Sequence, residues 1–476
     1  MITDFFINGQ YQHNSKEKYK VFAKYNGSEI ATIPDANLND VELAVQSAKR
    51  AYDEVWRDLD PMERAKLMWR WADVIDEFGE EIAGLSGLES GKATIGGDMT
   101  FFSDIVRYYA GWIDKQYGDV VTTDNGFVNY VIRQPLGVVA AMPSWNTTVH
   151  GAIQKIAPAL STGNTVIVRA PDEAPLSCLA LAQTVQKAGF PAGVINIIAG
   201  NGPLVSKTLV DHPLVDVITF TGSVEVGKAI ITAGAKTMKR TVVELGGKSP
   251  FIVFEDADIE RAARTAVECG YAYQGQICSA VSRVLVQRSI QKVFVERMKA
   301  LTEEYRPAFP DEKTTYPAIG PLFNAKQMDR VQRYVDIGKK EGKLITGGNR
   351  ITMKPFDTAY YFEPTIFEFE DNSSALTREE IFGPVISVIP FDTIEEAIRI
   401  ANDVPYGLSA SVWSNDNAKL FQCSNKVQAG TIWANAYYQY SRHAPWGGFK
   451  ASGHGREYGK YALEAFTDYK NIWVNK

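Results

Sequence analysis

The feature that most constrains the fold is a repeated order of strand, turn and helix between residues 137 and 244. Apolar runs suited to buried strands alternate there with helical patterns, at residues 137–142, 153–160, 165–168, 177–188, 194–198, 217–220 and 226–233. Such alternation is typical of a parallel sheet whose strands are joined by right-handed helical crossovers. The sequence therefore predicts an α/β fold with a doubly wound domain of the nucleotide-binding type, whose crevice lies at the carboxyl ends of the strands.

The segments on either side of this region predict other elements. Residues 1–110 are expected to be mostly helical, with helices at residues 39–56, 61–78 and 98–115. Strand-forming runs on both sides of Asp124-Asn125-Gly126 predict a hairpin. One hairpin cannot bury both of its faces, so we expect it to pack on another subunit or on the C-terminal end of its own chain. A second α/β stretch is expected from residue 250 to about residue 451, followed by a hairpin and tail.

The composition excludes several classes of function. The 476 residues carry a formal net charge of −6, so no basic surface is expected for nucleic acid or an anionic membrane. No apolar run reaches the roughly 18 residues of a membrane span, and the N-terminus lacks the pattern of a signal peptide. Four cysteines and five histidines are too few for a disulfide scaffold or a histidine-rich metal site. We therefore expect a cytoplasmic enzyme with no metal.

Three features of the sequence are candidates for chemistry, each with a plainer alternative. Cys278 follows a glycine-containing turn, and a lone cysteine in a reducing compartment is a candidate nucleophile; burial as a small apolar side chain is the alternative. Glu244 ends a β-branched strand before two glycines, where a carboxylate can be a general base or only an ion-pair partner. Gly222 and Ser223 open a helix after a strand, which suits a pyrophosphate but also an ordinary tight turn.

Seven short motifs occur in a fixed order along the chain. They are Ser144-Trp145-Asn146, Phe220-Thr221-Gly222-Ser223, Glu244-Leu245-Gly246-Gly247-Lys248-Ser249-Pro250, Gly275-Gln276-Ile277-Cys278, Glu380-Ile381-Phe382-Gly383-Pro384-Val385, Tyr406-Gly407-Leu408 and Pro445-Trp446-Gly447-Gly448. This series strongly resembles the NAD(P)-dependent aldehyde dehydrogenase superfamily. The resemblance covers essentially the whole chain, from Phe6 to the C-terminal tail.

The resemblance implies an aldehyde dehydrogenase-like fold in three parts. A Rossmann-like NAD(P)-binding domain would comprise residues 1–115 and 137–246, and an α/β catalytic domain residues 247–451. Residues 116–136 and 452–476 would form a small β oligomerisation element, which implies a homodimer or a homotetramer.

The resemblance also implies the roles of individual residues. Cys278 would be the nucleophile and Glu244 the base that activates the deacylating water, with the Asn146 amide and the Cys278 backbone N–H as donors to the oxyanion. The implied cofactor-binding residues are Trp145, Arg169, Asp172, Thr221, Gly222, Ser223, Leu245, Glu380 and Phe382. The glutamate favours release of a carboxylic acid over transfer to coenzyme A. A thiol esterase without redox chemistry and a catalytically silent homologue are the alternatives.

The segment after residue 165 bears on the choice of cofactor. The superfamily usually has lysine where this chain has Arg169, and its NAD-preferring members usually have glutamate where this chain has Asp172. A carboxylate there accepts ribose hydroxyls and repels a 2′-phosphate, so Asp172 favours NAD. Arg169 could still pair with that phosphate, which leaves NADP possible.

The expected substrate tunnel departs most from the superfamily pattern. Thr147, His150 and Gln154 are spaced to share one face of a helix just after Asn146. On the opposite side the resemblance implies Tyr440, Arg442 and Trp446. We hypothesise a small aldehyde that carries a polar or anionic group, held by His150, Gln154 and Arg442; the alternative is that Arg442 and His443 merely belong to a solvated loop.

Overall fold

The computed structural model describes residues 1–92, 100–123, 126–200, 202–309 and 314–475. Two expectations fall partly outside this range. Asp98 and Met99, the first two residues of the helix expected over residues 98–115, lie outside the described residues. Asp124 and Asn125 of the expected hairpin turn also lie outside them.

The helices follow the predicted order through the nucleotide-type region. They are α1 (Leu38–Ala51), α2 (Pro61–Glu77), α3 (Gly79–Ser90), α4 (Thr100–Ala110), α5 (Thr148–Ser161), α6 (Leu176–Ala188), α7 (Pro203–Asp211), α8 (Val224–Ala235), α9 (Ile259–Tyr271), α10 (Gln291–Thr302), α11 (Ala325–Glu341), α12 (Ala375–Arg378), α13 (Ile394–Asn402) and α14 (Asn417–Lys426). Helix α1 begins as its sequence suggests, because Asn37 and Asp40 form a capping box that satisfies backbone N–H groups of the first turn.

The strands are distributed along the whole chain. They are β1 (Phe6–Ile7), β2 (Gln10–Tyr11), β3 (Lys18–Phe22), β4 (Glu29–Pro34), β5 (Asp119–Val121), β6 (Phe127–Pro135), β7 (Val138–Met142), β8 (Thr165–Ala170), β9 (Ile195–Ala199), β10 (Val217–Thr221), β11 (Arg240–Glu244), β12 (Ser249–Val253), β13 (Val281–Gln287), β14 (Arg306–Pro307), β15 (Ala318–Ile319), β16 (Lys343–Thr346), β17 (Thr365–Glu368), β18 (Val385–Phe391), β19 (Tyr406–Gly407), β20 (Ser409–Trp413), β21 (Thr431–Ala434), β22 (Phe449–Lys450), β23 (Gly453–His454) and β24 (Thr467–Asn475).

Two large sheets form the body of the molecule. The first has the order β2-β1-β9-β8-β7-β10-β11-β23, and its strands from β7 to β11 are parallel. The second has the order β16-β17-β18-β13-β12-β20-β21 and is parallel except for the edge strand β16. The parallel strands are buried and rich in Val, Ile and Ala, as expected when helices cover both faces.

The predicted hairpin is formed by β5 and β6, and β6 also pairs with β24 near the C-terminus. The β6–β24 ladder is antiparallel and extends from Pro135↔Thr467 to Phe127↔Asn475. The expectation that the hairpin packs on its own C-terminal end is therefore confirmed. The limits of the three expected domains stay a prediction.

The expectation of a mostly helical N-terminus is wrong for residues 6–34, which contain β1 to β4. Two of these strands have only two residues, too few for an alternating pattern, and β1 is formed because Phe6 pairs with Ile197 of the main sheet. Helices α1, α2 and α4 lie where they were expected. None of the helices in the described ranges is long and apolar enough to cross a membrane.

Candidate active site

The candidate site lies where the strand order of the first sheet reverses. The chain goes from β7 outward through β8 to β9, and then returns to the other side of β7 as β10. The loops that follow two neighbouring parallel strands diverge at such a point and leave a crevice. The loop after β7 carries Trp145 and Asn146, and the loop after β10 carries Gly222 and Ser223.

Cys278 lies in a tightly constrained loop before β13. Tyr273, Gln274 and Gly275 all adopt a positive φ, between 46° and 68°. A Cβ on Gly275 would come within 2.1 Å of the Gly383 carbonyl oxygen, so only glycine fits there. Burial raises the pKa of the Cys278 thiol, and the nearby Glu244 carboxylate raises it further.

Asn146 is held with its amide nitrogen toward the cysteine loop. Its Nδ2 donates to the backbone oxygen of Gln276 at 2.8 Å, and its Oδ1 accepts from the Ser144 hydroxyl at 2.5 Å. These two contacts fix which end of the amide faces the loop. Because an amide nitrogen has two hydrogens, one hydrogen remains for a further acceptor.

Glu244 is a buried carboxylate with almost no hydrogen bonding. It ends β11 and its residue is only 3% exposed. Among the described residues, no donor meets either carboxylate oxygen in good hydrogen-bond geometry, and only the backbone N–H of Gly448 approaches closely enough to lower the pKa slightly. A Cβ on Gly447 would lie 2.8 Å from Oε1, so the glycine turn that follows Trp446 packs directly against the carboxylate. Burial raises the pKa of Glu244 well above its usual value, and the neighbouring Glu457 carboxylate raises it further.

Gly246 and Gly247 let the chain after this strand pass between Glu380 and the backbone of Cys278. A Cβ on Gly246 would lie 2.2 Å from Glu380 Oε2, and one on Gly247 would lie 2.5 Å from the Cys278 carbonyl oxygen. The Gly247 backbone N–H donates to Glu380 Oε1 at 3.1 Å. Burial raises the pKa of Glu380 to about 7.

The loop that carries Glu380 and Phe382 is fixed by helix α11. Gln327 Nε2 donates to the backbone oxygens of Ile381 and Phe382, at 3.0 and 2.7 Å. Phe382 has a φ of 61° and meets the Trp145 ring edge-on at 5.4 Å. The two aromatic residues implied for the cofactor site therefore pack together.

The turn between β10 and α8 is connected to the strand that carries Glu244. The Gly222 N–H donates to the Glu244 backbone oxygen at 3.0 Å. Ser223 caps α8 by accepting from the Val226 N–H at 3.3 Å. Leu245 packs on the first turn of that helix, where a Cβ on Gly227 would clash with it.

Arg169 and Asp172 form an ion pair after β8. Arg169 Nη2 also donates to the backbone oxygens of Gly200 and Gly202, both at 3.2 Å. Asp172 Oδ2 accepts from the Gly202 N–H at 3.2 Å. Burial lowers the pKa of Arg169 to about 10. The guanidinium is therefore already partnered by this loop and by the carboxylate.

The expected tunnel residues divide into two groups. Tyr440 donates to or accepts from the Ser279 hydroxyl at 2.8 Å, and its ring lies 5.2 Å from Trp446, so both lie close to the cysteine loop. Thr147 precedes the first turn of α5. The remaining three have partners within the chain: His150 with Tyr458, Gln154 with Glu457 and Tyr458, and Arg442 with Asp104 at 3.0 Å.

The chain is similar to known proteins over almost its full length. The sequence profile of the aldehyde dehydrogenase family matches residues 11–472. This chain belongs to the aldehyde dehydrogenase family. Betaine aldehyde dehydrogenase of Bacillus subtilis is 37% identical over 478 residues, 99% of this chain and 97% of that protein.

Solved structures of the family agree over the full chain. The γ-glutamyl-γ-aminobutyraldehyde dehydrogenase of Burkholderia cenocepacia has a TM-score of 0.95 at 38% identity, covering 100% of this chain and 97% of that one. Betaine aldehyde dehydrogenase of Staphylococcus aureus, solved in complex with NAD+, has a TM-score of 0.97 at 34% identity, covering 100% and 95%. The predicted resemblance, the α/β fold of the aldehyde dehydrogenase family and the oxidoreductase class are therefore confirmed.

The residues present fit the dinucleotide that this family uses. The N-terminus of α8 follows β10 at the edge of the sheet that carries the crevice, and the free N–H groups of such a helix end suit a pyrophosphate. Glu380 lies in the space that a Cβ on Gly246 would fill, and its side chain lines a pocket together with Gly247 and Phe382. In the described ranges, no group of three His, Cys, Asp or Glu side chains could hold a metal ion.

Sequence reasoning missed a buried ion pair beside the base. Lys155 on α5 pairs with Glu457 and also donates to the Thr221 hydroxyl at 2.7 Å. The signal in the sequence was a lysine between Ile153 and Ile156 on a helix that is otherwise apolar. A lysine buried on such a helix needs an oppositely charged partner, because an unpaired buried charge is strongly destabilising. Its partner lies 302 residues further along the chain, which no local pattern indicates.

Proposed function

We propose that this protein oxidises an aldehyde to its carboxylic acid with NAD+, through a thioester on Cys278 that Glu244 helps to hydrolyse. The observation that carries the proposal is the buried Glu244 carboxylate beside Cys278, which has no hydrogen bond of good geometry. The two are close enough for the carboxylate to raise the pKa of the thiol. A charged group without a hydrogen bond is costly to bury, and an attacking water is the partner that would offset this cost.

The first step forms a covalent bond between the chain and the substrate. Cys278 Sγ, once its proton has left to solvent, adds to the aldehyde carbon and gives a thiohemiacetal oxyanion. The free N–H of the Asn146 amide and the Cys278 backbone N–H would donate to this oxyanion. Removing one such donor typically costs about 10²–10³ in rate.

The second step completes the oxidation. When bound, NAD+ supplies the acceptor for the hydride that leaves the thiohemiacetal carbon, and a thioester remains on Cys278. Glu380, Phe382, Trp145 and Ser223 would hold and orient that cofactor, together with Thr221, Gly222 and Leu245. Glu244 then takes a proton from water, the hydroxide adds to the thioester carbon, and the C–S bond breaks to release the carboxylic acid and the Cys278 thiolate.

The preference for NAD over NADP rests on Asp172. Its carboxylate would accept from the ribose hydroxyls and repel a 2′-phosphate. Arg169, the residue that could attract that phosphate, is paired with Asp172 and with two backbone oxygens. These contacts support NAD as the preferred cofactor.

The proposal includes a polar group on the substrate. Tyr440 and Trp446 would provide aromatic walls, and Thr147 and His150 would lie on the opposite side of the substrate. Arg442 is neutralised by Asp104, which favours an uncharged polar group over an anionic one.

We also propose a homodimer or homotetramer in the cytoplasm. The sheet β24-β6-β5 exposes large apolar side chains, among them Val120, Phe127 and Trp473, which a second subunit would cover. All four cysteines are free, as is usual in a reducing compartment.

The experiment that tests the function is NADH formation by the purified protein with an aldehyde panel, using NAD+ and NADP+. We expect Cys278→Ala to abolish NADH formation. Cys269→Ala is the matched control, because Cys269 is also a half-buried free thiol but has no role in the proposed chemistry. Loss of activity in both variants, or in neither, would contradict the assignment of Cys278.

A further inference from the structure

A chain of hydrogen bonds connects His150 with the ion pair beside the base. His150 Nε2 contacts the Tyr458 hydroxyl, and that hydroxyl donates to Gln154 Oε1 at 3.1 Å. Gln154 Nε2 donates to Glu457 Oε2, and Lys155 binds the other oxygen of Glu457. All of these side chains except His150 are buried.

The direction of every bond follows from the inventory of donors and acceptors. Glu457 is paired with a lysine, so its carboxylate accepts, and Gln154 must turn its NH₂ group toward it. The oxygen of Gln154 can then only accept, which uses the single hydrogen of the Tyr458 hydroxyl. His150 Nε2 must therefore be the donor to Tyr458, and it carries the proton of the ring.

This assignment leaves the other ring nitrogen of His150 as an acceptor. The partial burial of the His150 ring and the positive charges of Lys92 and Lys155 lower its pKa to about 3, so the ring is neutral and Nδ1 has no hydrogen. Nδ1 has no hydrogen-bond partner among the described residues. An acceptor in such a site is satisfied only by a ligand or by water.

The surroundings of His150 lie within the candidate active site. The ring is 5.8 Å from Phe101 and 5.0 Å from Phe102 on α4, and α5 begins just after Asn146. Tyr458, to which His150 is bonded, follows Glu457, whose backbone pairs with that of Trp446, and the Trp446 ring lies 5.2 Å from Tyr440. Of the nearby cations, Lys155 is paired with Glu457, and the Lys92 ammonium lies 4.6 Å from the centre of the Tyr273 ring.

We propose that His150 Nδ1 accepts a hydrogen bond from a hydroxyl or N–H group of the aldehyde, and thereby selects substrates that carry a hydrogen-bond donor. This proposal rests on the proposed function and makes its substrate class specific. It also changes the role of Gln154, which becomes a positioning residue that fixes the tautomer of His150 through Tyr458. A carboxylate offers no hydrogen to Nδ1, so anionic aldehydes are disfavoured.

Two substitutions separate the two ring nitrogens. His150→Gln puts an amide nitrogen near the position of Nε2, which keeps the donor to Tyr458 and removes the acceptor at Nδ1. His150→Asn puts its amide near the position of Nδ1, which keeps an acceptor and removes the bond to Tyr458. The substrates are benzaldehydes and phenylacetaldehydes with a hydroxyl, a methyl or a carboxylate at the 3- or 4-position, which have similar shapes and do not cyclise.

The measured quantity is the ratio of kcat/KM for each hydroxyl substrate to kcat/KM for its methyl analogue. The electronic effect of the substituent is the same in every variant, so it cancels when this ratio is compared between variants. One neutral hydrogen bond corresponds to about a threefold to tenfold preference. We expect this ratio to be higher by that factor in the wild type and in His150→Asn than in His150→Gln.

Two other outcomes would contradict different parts of the proposal. An equal ratio in all three proteins, or a preference for the carboxylate substrates, overturns the role of His150 while the NADH produced still supports the proposed function. No NADH with any aldehyde refutes the proposed function itself, and the substrate preference with it.

Discussion

Replacing Glu244 with glutamine separates the two halves of the proposed reaction. Glutamine has the same shape, no hydrogen bond of good geometry to Glu244 is lost, and the amide oxygen can still face the backbone N–H of Gly448. The substitution also removes a buried charge that Glu457 repels, so the fold is expected to remain intact. The change is therefore confined to the chemistry of the group.

The expected loss falls on thioester hydrolysis. A positioned general base contributes about 10²–10⁴ in rate, which corresponds to about 3–5 kcal/mol of barrier at 25 °C. Steady-state kcat should fall by that factor in Glu244→Gln. About one equivalent of NADH per site should still form, because Cys278 attack and hydride loss do not use the base.

The burst phase should also shift along the pH axis. Glu244 raises the pKa of the Cys278 thiol, so its removal lowers that pKa and populates the thiolate at lower pH. The pH profile of the burst rate should therefore move to lower pH in Glu244→Gln. In the wild type, hydrolysis should slow as the pH falls and Glu244, whose own pKa is raised, takes up a proton.

Stopped-flow absorbance of NADH measures the burst, and mass spectrometry after acid quenching measures the acyl adduct on Cys278. Adding hydroxylamine, a nucleophile that needs no base, should restore turnover. Multiple turnovers at the wild-type rate would place the base elsewhere. Loss of the burst in a folded variant would mean instead that Glu244 activates the thiol.

Three further results are expected. Asp172→Asn removes the charge that neutralises its arginine partner, so kcat/KM for NADP+ should rise about tenfold relative to NAD+, as a single ion pair of about 1.4 kcal/mol allows; an unchanged ratio would contradict the role of Asp172. Gly246→Ala inserts a Cβ 2.2 Å from Glu380 Oε2 and should raise the KM for NAD+, whereas Gly84→Ala, with no atom within 4 Å of its Cβ, should leave it unchanged. Trp473→Glu charges the apolar sheet and should reduce the mass measured by light scattering to that of a smaller assembly; a mass unchanged at all concentrations would argue against this interface.

Some parts of the site could be predicted because they depend on local backbone geometry. Glu244 ends a parallel strand, and Asn146 and Ser223 follow two neighbouring ones, so the sheet alone brings them to one edge. The short strands β1 and β2 could not be predicted in this way. They exist because Phe6 pairs with Ile197, which comes 191 residues later, and such pairing is a property of tertiary contact and not of local sequence.

The tunnel residues mark the limit of reasoning from polarity. Their helical spacing correctly placed His150 and Gln154 on α5, with Thr147 as the residue just before it, but a polar side chain facing inward has two explanations, a ligand or an internal partner. Gln154 has its partners in Glu457 and Tyr458, more than 300 residues away in sequence. What points to a ligand is a hydrogen-bonding atom left over after the internal bonds are assigned, and for His150 that atom is Nδ1. Aldehydes that differ only in the hydrogen they can offer are therefore a more direct probe of this site than aldehydes that differ in charge.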